Sequence, residues 1–166
     1  MKYVPSPHHG LILLAVAAFT GPASTAQVPV TLHPNQRELL RSQDPELAAN
    51  KKLVFDFWRE IVQARNVALT ANYVLEDYIQ HDPNIATGRK ALVDLFSRFK
   101  QQAVKSEIDN LVAIVAEGDN VVLARRNELP DPSNPGETYT TTKFDMFRIK
   151  DGKIAEHWDI VLKATN

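Results

Sequence analysis

The chain has 166 residues, with 19 basic and 20 acidic side chains and a formal net charge of −1. That length suits one domain with a short leader rather than two domains. A near-neutral chain with no basic cluster longer than a pair has no electrostatic drive toward nucleic acid or an anionic membrane. The lack of cysteine excludes disulfides, thiolate metal sites, cysteine nucleophiles and lipoprotein anchoring.

"MKYVPSPHHG" is followed by the apolar run "LILLAVAAF" and by an exit ending in Ser24, Thr25 and Ala26. This is the pattern of a secretory signal peptide over residues 1–26. Cleavage after Ala26 is expected, leaving 166 − 26 = 140 residues in the periplasm or outside the cell, with no further membrane contact. The apolar run is well short of the roughly 20 residues a membrane span needs. Lys2 is the only formal charge before the cut, so an uncleaved anchor is the alternative.

Residues 27–44 contain two prolines and no sustained period, and they read as a linker with one helical turn near residues 36–41. The domain then covers residues 45–166. Asp44 suits an N-cap and Pro45 the first helical position. Leu47, Val54, Phe55, Trp58, Ile61 and Val62 recur at helical spacing. A second short helix is expected over residues 67–74. "DYIQHDP" reads as an extended segment stopped by Pro83, with a loop through Gly88. In "RKALVDLFSRFKQQA", Leu92, Leu95, Phe96 and Phe99 form one stripe of a third helix.

The pattern then changes to strands. "SEIDNLVAIVAEGDNVVLARRNEL" has two β-branched runs around the turn residues Gly118, Asp119 and Asn120, and "PDPSNPG" is a loop by composition. "ETYTTTKFDMFRI", "KDGK" and "KIAEHWDIVLK" form a hairpin whose Asp151-Gly152 centre favours a type I′ turn. Helices early and strands late give an α+β fold, with the helices on one face of an antiparallel sheet.

A regular hairpin pairs Lys150 with Lys153, Ile149 with Ile154, Phe147 with Glu156, Met146 with His157 and Phe144 with Asp159. Side-chain alternation then puts Phe144, Met146, Ala155, His157 and Asp159 on one face. Asp145, Phe147, Ile149, Ile154, Glu156 and Trp158 take the other; a bulge would swap the assignment beyond it. Both faces mix apolar and ionisable residues, so neither is a plain solvent face, and a pocket wall is favoured.

His157 and Asp159 point the same way, roughly 7 Å apart. An apolar wall would raise the Asp159 pKa into a range useful for a general acid or base. The competing reading is an exposed histidine and a surface carboxylate. "YIQHDPN" adds His81 and Asp82 beside Tyr78, although Asp82-Pro83-Asn84 is also an ordinary turn starter. His81 shares parity with Ile79 and is expected to line the same cavity, with Trp58 closing one side. His81, His157 and Asp159 offer two imidazoles and one carboxylate, but no metal motif such as His-Glu-x-x-His accompanies them, and no metal or cofactor is expected. Phosphate-loop, nucleophile-elbow and dinucleotide motifs are missing as well.

"YIQHDPN…GRKALVDLF" together with "FDMFRIKDGKIAEHWDIV" resembles the SnoaL-like branch of the nuclear transport factor 2-like superfamily. The resemblance implies a cone, in which a curved antiparallel sheet wraps over three helices around one deep cavity. In SnoaL-type polyketide cyclases a pocket carboxylate and histidine perform an aldol condensation without metal or cofactor. On this chain Asp159 matches the carboxylate, with His157 and His81 as candidate imidazoles. Ketosteroid isomerase, a more distant relative, places its base after the first strand, where this chain has His81 and Asp82. Trp58, Tyr78, Asp82, Phe144, Met146, Glu156 and Trp158 are then the expected substrate contacts. The implied partner is a small apolar or carbonyl-containing molecule, and a homodimer is expected. A non-catalytic binding protein and a dimerisation module are the alternatives.

Overall fold

The computed structural model describes residues 27–165. The expected signal peptide, residues 1–26, lies outside the described residues. Helix α1 is the single turn Gln36–Leu39. Helix α2, Pro45–Phe57, starts as its sequence dictates: the Asp44 carboxylate accepts the backbone N–H groups of Glu46 at 2.8 Å and Leu47 at 3.4 Å. Such caps are worth about 1 kcal/mol. At Trp58 the helix widens into a π turn, Trp58–Gln63, a form often found at functional sites.

A 3₁₀ turn, Val67–Leu69, and α3, Thr70–Tyr73, replace the expected second helix. Strand β1, Val74–Gln80, and α4, Arg89–Phe96, follow. The apolar stripe of α4 is shorter than expected. The helix ends at Phe96, so Phe99 falls out of helical phase and is 54% exposed. The Arg65 guanidinium covers the rings of Phe96 and Phe99 at 4.7 and 5.2 Å.

Strands β2, Leu111–Glu117, β3, Asn120–Pro130, β4, Thr138–Lys150, and β5, Lys153–Asp159, complete a sheet of order β1-β5-β4-β3-β2. β1 runs parallel to β5 and every other pair is antiparallel, so the expected antiparallel sheet is mixed at one edge. The parallel pair is a crossover that joins the helical half of the chain to its last strand. Val54, Phe55 and Ile61 pack on the inner sheet face against Val121, Leu123, Phe147 and Ile154, all essentially buried.

The segment expected as a linker lies along the domain. Val30 N–H donates to Thr140 Oγ1 at 2.8 Å, and His33 N–H donates to the Leu111 carbonyl at 3.1 Å. The buried Gln36 amide pairs with both backbone groups of Ile108, at 2.7 and 2.9 Å, as a strand neighbour would.

The last hairpin turns at Asp151 and Gly152, with φ of 51° and 68°, as a type I′ turn requires. Lys150 faces Lys153 and Ile149 faces Ile154. Beyond them Ala155 is an extra residue. The pairs become Arg148 with Glu156, Phe147 with His157, Met146 with Trp158 and Asp145 with Asp159. This corrects the regular register, because a bulge of one residue exchanges the faces beyond it. Asp145 and Phe147 therefore face inward beside His157 and Asp159. Phe144, 49% exposed, Met146, Glu156 and Trp158 take the outer face.

Candidate functional site

A cavity of about 280 Å³ opens between the π turn, β1, α4 and the inner sheet face. Its walls are largely apolar: Phe57, Trp58 and Val62 from the helix, Leu92, Leu95 and Phe96 from α4, and Phe147 from the sheet. One end is polar and carries Tyr78, Gln80, Arg125, Asp145, His157 and Asp159. Its size lies just below the ~300–1,000 Å³ typical of small-molecule pockets. Hollows of similar volume near Asp56, Asp94 and Asp109 differ in kind, because each of those carboxylates is already paired with a lysine four residues away.

Asp145 anchors the polar end. Its Oδ2 accepts from Arg125 Nε at 2.9 Å and Nη2 at 2.7 Å, and its Oδ1 lies 3.4 Å from His157 Nε2. Burial alone would raise the Asp145 pKa. The His157 hydrogen bond and the Arg125 charge and hydrogen bond outweigh it and hold the carboxyl below its usual range. Arg125 is fixed in turn by the Trp58 ring, 4.0 Å beneath the guanidinium. The imidazole of His157 stacks on Phe147 at 4.6 Å, and its Nδ1 lies 3.1 Å from Gln80 Oε1.

Asp159 differs from its neighbour in every respect. Its buried Oδ1 has no hydrogen-bond partner among the described residues. Burial pushes its pKa up, and the charges of Asp82 and Asp145 add to that, against the opposing pull of His157 and Lys143. Tyr78 is 2% exposed, and burial, reinforced by the charges of Asp159, Asp145 and Asp82, keeps its phenol protonated. The polar end thus holds an ionised carboxylate with its counter-charge, a second carboxylate free to take or give a proton, and a hydroxyl donor.

Asp145, His157 and Asp159 offer ligand atoms within 4.8 Å of one another. Arg125 already supplies the positive charge at Asp145, so a metal ion there would compete with a guanidinium.

The structure brings Asp159, His157, Trp58 and Tyr78 to one cavity. His81 is placed elsewhere: it stacks on Trp158 at 4.9 Å, 7° from parallel, and contacts Glu156 at 2.8 Å on the outer face. The parity argument for His81 fails because Ile79, taken as an inward marker, is itself 40% exposed. Glu156, Trp158, Phe144 and Met146 lie outside through the Ala155 bulge. Asp82 is buried but does not line the cavity; it accepts Asn84 N–H at 2.7 Å and shapes the turn that its sequence suggests. Asp145, Arg125 and Gln80 were not among the expected site residues. The signal for Asp145 was its alternation with Phe147 and Ile149, two apolar residues that mark the inner face.

The model of the SnoaL-like domain family matches residues 54–157. The chain belongs to the SnoaL-like domain family. Its α+β cone is that of the nuclear transport factor 2-like superfamily. A protein described as a SnoaL-like polyketide cyclase from Jannaschia sp. is 16% identical, with a TM-score of 0.50 over 72% of this chain and 90% of that one. TsrD from Streptomyces laurentii is 22% identical, with a TM-score of 0.44 over 72% and 90%. An LEH-like epoxide hydrolase from M. tuberculosis is 16% identical, with a TM-score of 0.49 over 70% and 81%. At these identities the likeness concerns the fold alone. No curated protein matches the chain. The matched region of the SnoaL-like domain includes Trp58, Tyr78, Gln80, Arg125, Asp145 and His157, and it stops two residues before Asp159.

Proposed function

We propose that the protein is an exported, cofactor-free enzyme that moves a proton on the carbon next to a carbonyl group of a compact, mostly apolar molecule. The observation that carries this reading is Asp159, a carboxylate with a buried, unpartnered oxygen at the polar end of an apolar cavity. A general base needs that freedom, together with a pKa moved toward neutrality. The ionised Asp159 takes a proton from the α-carbon, and the electron pair moves onto the carbonyl oxygen to form an enolate. The Tyr78 hydroxyl and the positive charge of Arg125 stabilise that oxygen. His157, stacked on Phe147, holds the third side. In an isomerisation, protonated Asp159 returns the proton to a different carbon. In an aldol step, the enolate carbon attacks a second carbonyl of the same molecule and Asp159 protonates the resulting alkoxide.

The test is α-proton exchange of small cyclic ketones in deuterated buffer, followed by NMR. Asp159→Asn is expected to slow exchange at least about 100-fold, with ligand affinity changed only a few-fold. Equal exchange by both proteins would overturn the reading.

A binding protein without chemistry is the second reading. It is favoured by the internal partners that already occupy both ring nitrogens of His157 and both oxygens of Asp145. A collapse of affinity in Asp159→Asn with no turnover by either protein would select it.

A homodimer belongs to the same proposal. Val115, Val122, Met146 and Trp158 form one rung across four strands of the outer sheet face, and Val115 is 58% exposed. Export rests on the apolar run and small-residue exit of residues 1–26.

A further inference from the structure

We infer that Asn84 is a positioning residue: its side-chain amide stands in for a strand neighbour of the chain that follows Asp159, and so holds that carboxylate at the cavity. The parallel ladder between β1 and β5 runs out just before Asp159. At its end the His81 N–H donates to the His157 carbonyl at 3.1 Å. Pro83, which has no N–H, then turns the chain beyond β1 away. Asn84 takes over with its side chain. Nδ2 donates to the Leu162 carbonyl at 3.1 Å, and Oδ1 accepts the Ala164 N–H at 2.7 Å. A carbonyl and an N–H two residues apart are what one residue of a parallel strand binds on its neighbour.

The amide has one orientation. Asp82 Oδ1 accepts both the Asn84 backbone N–H at 2.7 Å and Nδ2 at 2.9 Å. Turned by 180°, the amide would set its oxygen against the oxygens of Asp82 and Leu162, and its NH₂ against the Ala164 N–H. Packing does little to fasten the segment it holds, since Ile160 is 73% and Leu162 90% exposed. Asp159 depends on this attachment more than Asp145 does. Arg125 and His157 orient Asp145 through hydrogen bonds, whereas the buried Asp159 Oδ1 has none among the described residues. Its placement comes from the backbone, and it is the last residue of β5, where a strand frays first. The groups that face it are His157 on β5, Asp145 and Lys143 on β4, Tyr78 on β1 and Asp82 in the turn. Burial acts on its titration more than any of them, so a loosened strand end that admits water lowers its pKa.

This deepens the proton-transfer reading, and it rests on that reading only for what Asp159 does to a substrate. Two variants test it. Asn84→Ala removes the amide, and a chain ending at Val161 removes both of its tail partners while leaving the contacts of Asn84 with Asp82 in place. In each, the Asp159 pKa, followed by NMR of its carboxyl carbon, is expected to fall by about one unit. Combining the two changes is expected to add nothing, because both undo one attachment. Asn84→Ala is also expected to speed hydrogen exchange at the Ala164 amide. Ketone exchange is expected to slow at least about 10-fold in kcat, with KM changed only a few-fold. A role in stability alone would move neither the pKa nor kcat of the folded protein. An Asp159 pKa unchanged in either variant, or an Ala164 amide unaffected by Asn84→Ala, overturns the assignment. If Asn84→Ala does not fold, the shortened chain decides it. A pKa that falls as expected, with no ketone exchange by the wild type, would sustain the role of Asn84 and sink the proton-transfer reading.

Discussion

Asp145 and Asp159 face one cavity, and their surroundings move their titrations in opposite directions. Asp145 has Arg125 and His157 as partners and sits below its ordinary pKa of about 3.9. Its contribution to stability is present above the unfolded-state pKa and is lost as pH falls through the lower folded value. Burial, with the charges of Asp82 and Asp145 adding to it, holds Asp159 above its ordinary value, so the folded state gains a proton early and loses stability as pH rises through the raised pKa. Asp145→Ala strands the buried Arg125 charge and is expected to cost about 3 kcal/mol at pH 7 in a urea titration. The loss should shrink in acid, where the wild-type carboxylate is protonated too. Asp159→Asn is expected to raise the melting midpoint at pH 7, because it removes a charge that burial disfavours. A variant no more stable than wild type would contradict the burial argument.

Among the elements, the last hairpin decides which residues meet the ligand. Its turn was legible in the sequence, since Asp-Gly flanked by alternating apolar residues has few other conformations. The bulge was not, because Ala155 carries no local signal. Ala155 is distinguished only by the core it fills beside Ile154, both nearly fully buried. Gly152→Ala introduces a side chain at φ 68° and is expected to cost about 1 kcal/mol, read as a shift in urea midpoint. A neutral substitution there would show that the hairpin register is held by the sheet alone. The same contrast holds for α2. Its start at Asp44 and Pro45 follows from capping chemistry, whereas the π turn that carries Trp58 and Val62 to the cavity answers to packing against the sheet.

For the whole molecule, the sheet has one face committed to the core and one left open among the described residues. The open face combines the apolar rung from Val115 to Trp158 with an ion pair of Arg148 and Glu156 at 2.7 Å, charges of both signs that a two-fold axis can match. Under the proposed export and dimerisation, light scattering of protein recovered from outside the cytoplasm is expected to give twice the mass of a chain beginning at Gln27. Met146→Glu is expected to halve that mass without loss of fold. A wild-type monomer over a wide concentration range would remove the dimer, and a protomer mass including residues 1–26 would remove the cleavage.

The sequence by itself determined the α+β class, the helix start at Asp44 and the position of the Asp-Gly turn, and it offered Trp58, Tyr78, His157 and Asp159 as candidates that the structure places around one cavity. Those features depend on local propensity and on periodicity, which neighbouring residues carry. Only the tertiary structure decided that Asp145, Arg125 and Gln80 share that wall and that His81 does not. Their places depend on a one-residue bulge and on a parallel pairing between the two ends of the domain. Both are set by how the inner sheet face packs on the helices, and although the alternation of Asp145 with Phe147 and Ile149 marks one of those places, the pairing that brings its partners to it is not written in the order of their neighbours.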